Sequence, residues 1–129
     1  MYIEEALSSY LLTQSGLTAL IADRLYHITA PQDVEAPYIV YFKVSSIPER
    51  AHDGFPNLYT SRFQFSIFAD TDYVAVQIKE QLQTALHCKV GLIGTSPGVY
   101  VGSCFFDNET DMFENELYHT AVDFILIHR

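Results

Sequence analysis

The sequence predicts an α+β fold: an antiparallel sheet of about four strands with two helices packed on one face. Three observations predict it. Ser61–Ala69 alternates apolar and polar residues at period two, the mark of a half-covered strand, and Leu117–His128 sorts into two strand faces. Ala36–Ser46 is a run of aromatic and β-branched residues opened by Pro37. Ile3–Leu11 and Val74–Leu86 repeat apolar residues at helical spacing. Along the chain the order is helix, strands, helix, strands.

The first helix carries Ile3, Leu7, Tyr10 and Leu11 on one side, with Glu4 and Glu5 in its first turn, where the macrodipole favours acids. Ser15-Gly16 is expected to stop it. Leu17–Ile21 reads as one more helical turn, and Asp23–Ile28 as a short extended piece. Ala30–Pro37 is a proline-bounded connection. In the strand that follows, Tyr38, Val40, Phe42 and Val44 are expected on the core face and Ile39, Tyr41 and Lys43 on the other. Pro37 stands at its start, where a missing N–H costs least. Ile47–Asn57, with two prolines and a glycine, reads as a long loop. Phe63, Phe65 and Ile67 then share a face opposite Arg62, Gln64 and Ser66. Asp70-Thr71-Asp72 offers caps for the second helix, whose apolar stripe is Val74, Ile78, Leu82, Ala85 and Leu86. That helix ends near His87. Gly91, Gly94 and Pro97-Gly98 mark turns. Val99–Phe106 is a strand with Val101 and Phe105 on one face and Tyr100, Cys104 and Phe106 on the other. Asp107–Glu116 is expected as a hairpin-like connection, a solvated and mobile acidic loop. In the last strand Tyr118, Val122, Phe124 and Leu126 share one face, and His119, Ala121, Asp123, Ile125 and Ile127 the opposite one.

The chain of 129 residues is read as one domain, 1–129. Folding at this size buries roughly two-thirds of the unfolded chain's surface, enough for a core without disulfides or metals. The start Met1-Tyr2-Ile3-Glu4-Glu5 has acids where a secretory signal has bases, so the chain is expected to be made and kept in a cytoplasm. No apolar run approaches the roughly 20 residues that span a bilayer. Cys88 and Cys104, without a CxxC, read as buried free thiols. The net charge of -9 and seven scattered bases argue against a grip on nucleic acid, although an acidic surface lets DNA slide past.

No catalytic, cofactor or metal site is expected. A nucleophile needs a His base oriented by an acid. The pieces Cys104, His119 and Asp123 carry no motif, and residues 119 and 123 lie roughly 13 Å apart along one strand face. His27, His52, His87, His119 and His128 lack ligand spacing. The acidic run from Asp107 lacks the glycine a calcium loop needs at its sixth place. Phosphate-cradling glycine motifs are missing. Apolar groups fall on both strand faces at Tyr41, Tyr100, Phe106, Ile125 and Ile127, more than two helices can cover. Part of the second face is therefore expected to meet another subunit. A rival reading is a small-ligand or protein-binding module using the tyrosine-rich face as a pocket.

Taken together, Asp23-Arg24-Leu25-Tyr26, Ala30-Pro31-Gln32, Ala36-Pro37-Tyr38-Ile39-Val40-Tyr41, Phe63–Ala69 and Tyr118–Phe124 resemble the tail-completion, or tail-to-head joining, family of long-tailed phages and prophages, related in shape to tail terminators. The resemblance covers nearly the whole chain. It implies a structural, non-enzymatic subunit, without cofactors, at the junction of tail and head in the virion. It implies a ring of copies of itself, typically six, that meets the head connector or stopper and the major tail tube protein. DNA would thread its lumen without specific binding, and no membrane is involved. A head-to-tail ring needs two different patches per subunit. The expected interface residues are Tyr41, Arg50, His52, Phe55, Tyr100, Ile125 and Ile127. Asp107, Glu109, Asp111, Glu114 and Glu116 are expected to face the lumen or the docking surface.

Overall fold

The computed structural model describes residues 2–48, 58–95, 97–114 and 116–129. Three helices and six strands follow in the order α1 (Ile3–Leu11), α2 (Ser15–Ile21), β1 (Leu25–His27), β2 (Tyr38–Pro48), β3 (Tyr59–Ala69), α3 (Asp72–Leu86), β4 (Gly91–Ile93), β5 (Val99–Glu114) and β6 (Leu117–His128). They form a sheet of order β1-β2-β3-β6-β5-β4. The β1–β2 pair is parallel and the other pairs are antiparallel. The expected α+β class stands, with six strands in place of about four and a third helix. β1 lies in the short extended piece expected at Asp23–Ile28, whereas β4 has three residues, too few for an alternation to register.

The helices cover one face. Phe63, Phe65 and Ile67 of β3 stand opposite Phe124, Val122 and Thr120 of β6. With Ile39 and Tyr41 of β2 and Ile78, Leu82 and Leu86 of α3 they make the core. Tyr41 anchors α1, its hydroxyl donating to the Glu4 carbonyl at 2.7 Å. Tyr10 of α1 donates likewise to Ala85 in α3 at 2.7 Å. Thr71 caps α3 by accepting from the Val74 N–H at 3.2 Å, as Asp70-Thr71-Asp72 suggested.

Two face assignments are corrected. In β2 the covered side is Ile39, Tyr41 and Lys43, while Tyr38, Val40 and Phe42 lie on the open side. Both sides are apolar, so the register with β3, where Tyr41 meets Phe65, decides the matter. Lys43 is tolerated on the covered side because its ammonium reaches Glu4 at 2.8 Å at the margin. In β5 a bulge between Val101 and Ser103 shifts the parity. Val101 and Cys104 are both buried, and Phe105, 51% exposed, turns outward. Gly16 is also reassigned. It lies within α2, where a Cβ would meet only the movable end of the Gln81 side chain of α3, so it does not terminate α1.

Among the described residues, β2 beyond Tyr41 and β5 beyond Val101 have a strand partner on one side only. Both edges are blunted. β2 has a bulge at Lys43/Ser45 and ends at Pro48; β5 has two bulges and carries Asp107, Glu109 and Asp111.

Candidate assembly surface

Among the described residues the sheet face opposite the helices is left open, and the cross-strand register decides what it displays. At one end an aromatic stripe crosses four strands. Tyr26 meets Tyr38 edge-on at 6.5 Å, Tyr38 stacks on Phe68 at 4.9 Å, and Phe68 stacks on His119 at 4.3 Å. Tyr38 is directly opposite Phe68, and Phe68 opposite His119, so the rings lie side by side without reaching. Beside the stripe, Ile28, Val40 and Phe42 help line a shallow groove of about 280 Å³.

The middle of the face is polar. Arg62 reaches Asp107 at 2.6 Å and Asp123 at 3.0 Å. The hydrogen bond to Asp107, with that to Asp123, raises the guanidinium above its already high ordinary value. A second apolar patch follows. Ile125 stands opposite Phe105, Ile127 lies two residues on along β6, and Tyr100 and Leu92 pair at the β4 edge. Phe105, Tyr100 and Leu92 are exposed. Thus the face carries two apolar patches with a charged belt between them.

Of the expected interface residues, the register places Tyr100, Ile125 and Ile127 together on this face. Tyr41 does not belong there: it is 2% exposed on the covered side, between Phe65 and α1. Arg50, His52 and Phe55 lie outside the described residues. The acidic connection is likewise corrected. β5 continues through it to Glu114, paired with β6 to the last residue. Asp107 binds Arg62, Glu109 binds Lys79 of α3 at 2.9 Å, and Asp111 accepts from the Thr120 hydroxyl at 2.9 Å. Glu116 is exposed in the turn at φ 64. The acids therefore divide among several partners instead of forming one mobile run. The alternation was masked there because Glu109 and Asp111 fall on positions facing the helix side.

One polar cluster has no signal in the sequence. Ser46, Ser61 and His128 come from three neighbouring strands. Ser61 Oγ lies 2.7 Å from His128 Nε2 and 3.0 Å from Ser46 Oγ. His128 Nδ1 faces the main-chain oxygen of Arg129 at 3.1 Å, which makes Nδ1 the donor and Nε2 the acceptor in the neutral ring. The pair resembles a serine–histidine dyad, but Ser61 is fully buried. A neighbouring cleft of about 330 Å³ is lined by Tyr2, Glu4, Lys43, Ser46, Tyr59 and His128. Among the described residues no group of His, Cys, Asp and Glu is placed to hold a metal.

Burial pushes the His128 imidazole below its ordinary value, with Lys43 adding to the effect against the opposing main-chain oxygen of Arg129 and Glu4. The folded chain therefore binds this proton less readily than the unfolded one. The stabilising effect is full above the unfolded value of about 6.5 and is lost as pH falls through the depressed folded value. Urea denaturation across that window should show a stability that falls with pH. His128→Gln, which can still accept from Ser61, should flatten the slope; an equal slope in the variant would remove His128 as its cause.

Comparison with curated protein sequences gives no match. Among solved structures, a chain of the "Virion of native gene transfer agent (GTA) particle" superposes with a TM-score of 0.77 at 13% identity, covering 98% of this chain and 96% of that one. A second solved chain, which carries no functional description, matches with a TM-score of 0.63 at 11% identity, covering 100% of this chain and 97% of the other. These two likenesses establish a shared fold. The family model described as "Tail completion protein gp17" matches residues 5–129, almost the full length and every strand of the sheet. This chain belongs to the gp17 tail-completion family, structural proteins of phage tails.

Proposed function

We propose that this chain completes the phage tail as a ring of identical subunits around the DNA path, six being the expected number, and joins the tail to the head connector. The observation that carries the reading is the open sheet face, with two apolar patches on either side of the Arg62 belt. A lone subunit leaves that surface in water, and contiguous exposed apolar area is typical of contact sites. A head-to-tail ring requires two unlike patches per subunit. Because both sheet edges are blunted, the contact is made by this face and not by strand addition. On sequence grounds Arg50, His52 and Phe55 contribute the complementary patch. The head connector or stopper on one side and the major tail tube protein on the other are the further partners. The chain assembles in the host cytoplasm and stays at the tail–head interface of the virion. The fold likeness to a chain of a gene transfer agent virion supports a place in the particle.

DNA passes through without specific binding. Sixteen acids against seven bases leave few cations to displace counterions from phosphates. Of the acids, Glu114 and Glu116 at the β5–β6 turn are the ones we assign to the lumen or docking surface, with Asp107, Glu109 and Asp111 supporting the hairpin behind them.

Immunogold labelling of the native protein on purified tails tests the location. Label confined to the head-proximal end is expected. Label spread along the tube, or at the distal tip, overturns the reading.

A further inference from the structure

The two cysteines, 16 positions apart in sequence, meet in the fold. Cys88 follows the end of α3, and its N–H donates to the Cys104 carbonyl of β5 at 2.7 Å. Standard bond lengths then hold the two Cα atoms no more than about 6.6 Å apart. That is within the separation a disulfide bridges, about 4.4–6.8 Å. Cys88 is exposed, contrary to the sequence expectation, while Cys104 is buried. Cys88 also occupies a left-handed conformation at φ 64, just past a helix end. That place ordinarily falls to Gly or Asn. A cysteine there is not explained by backbone preference.

We propose that Cys88 and Cys104 are a redox pair that closes to an intramolecular disulfide on meeting a low-molecular-weight disulfide such as oxidised glutathione. The bridge ties the end of α3 to β5. In the first step the exposed Cys88 thiolate attacks one glutathione sulfur. A Cys88–glutathione bond forms, the glutathione S–S bond breaks, and one glutathione thiol leaves. Cys104 then gives its proton to solvent and attacks Cys88 Sγ, expelling the second glutathione. The protein loses two protons and two electrons, and the oxidant becomes two thiols. Burial, with Cys88 beside it, pushes the Cys104 thiol up to about 12. Cys88, the exposed thiol, therefore takes the glutathione first, and the buried Cys104 resolves the mixed disulfide. In a reducing cytoplasm the pair stays open, and it closes in an oxidising medium. This inference is independent of the assembly reading and holds for the isolated chain.

The test treats the reduced, full-length chain with excess oxidised glutathione, quenches with iodoacetamide and follows intact mass with peptide mapping. Wild type is expected to gain one glutathione at Cys88 and then lose it. The final mass is that of the reduced chain less two hydrogens, with both cysteines in one cross-linked peptide. Cys104→Ser should stop at the Cys88 adduct, and Cys88→Ser should leave Cys104 unmodified. A wild-type chain that stops at the adduct, or that forms a covalent dimer on a non-reducing gel, overturns the proposal.

Discussion

Phe65→Ala is expected to cost about 3–5 kcal/mol of folding stability, as cavity-forming truncations of buried aromatics do. Phe65 is 0% exposed, stacks on Tyr41 at 5.5 Å and meets Phe124 edge-on at 5.8 Å. It also stands at the register point that joins β2, β3 and β6. Truncation removes the ring's own burial and strips partners from the two rings beside it. A domain of this size has a total stability of about 5–15 kcal/mol, so the variant sits close to the folding threshold. The same substitution type at Phe113, which is 62% exposed near the β5–β6 turn, should change stability by less than about 0.5 kcal/mol. Urea denaturation of Phe65→Ala and Phe113→Ala checks the pair. A small effect at Phe65 would mean that the core does not have the β2–β3 register described here.

That register also explains what could be read from the sequence. β3 and β6 were legible because each has a polar side: Arg62, Gln64 and Ser66 in one, His119 and Asp123 in the other. With one side wet, period two tells the faces apart. β2 gave no such contrast. Tyr38, Val40 and Phe42 look as apolar as Ile39 and Tyr41, and only pairing with Phe65 shows which set meets the helices. In β5 the parity was readable up to Val101, where the bulge breaks it. A bulge inserts a residue without changing composition, so alternation counted straight through it inverts every later position. Helix α3 was clear because a capping threonine and a continuous apolar stripe agree.

The candidate surface was half legible, for the same reason. Ile125 and Ile127 announced an apolar second face because they alternate with core positions already fixed by Phe124 and Leu126. Tyr41 was misplaced together with its strand. The Arg62–Asp107–Asp123 belt joins residues up to 61 positions apart, and Ser61 and His128 are 67 apart. Contacts of that range leave no local pattern, so they become visible only after the strand order is known.

The second large effect concerns that face. Ile125→Asp is expected to leave the subunit folded and soluble but to weaken self-association by roughly a thousandfold, equivalent to about 4 kcal/mol. Ile125 is half-buried in the lone chain, opposite Phe105 on one side and Arg62 on the other. In the free subunit a carboxylate at this half-buried position keeps contact with water, so folding tolerates it. Within a subunit contact made by the Phe105–Ile125–Ile127 patch, the same carboxylate is desolvated among apolar groups. Arg62, already shared between Asp107 and Asp123, cannot compensate a third acid. Ile125→Val keeps the apolar character and should assemble as wild type. Sedimentation of the purified chains, with circular dichroism to establish folding, reads the first effect. Electron micrographs of tails incubated with each variant read the second, as loss of the capping density with Asp and its retention with Val. Rings formed normally by folded Ile125→Asp would move the interface off the open face, leaving the family assignment intact and this geometry of assembly refuted.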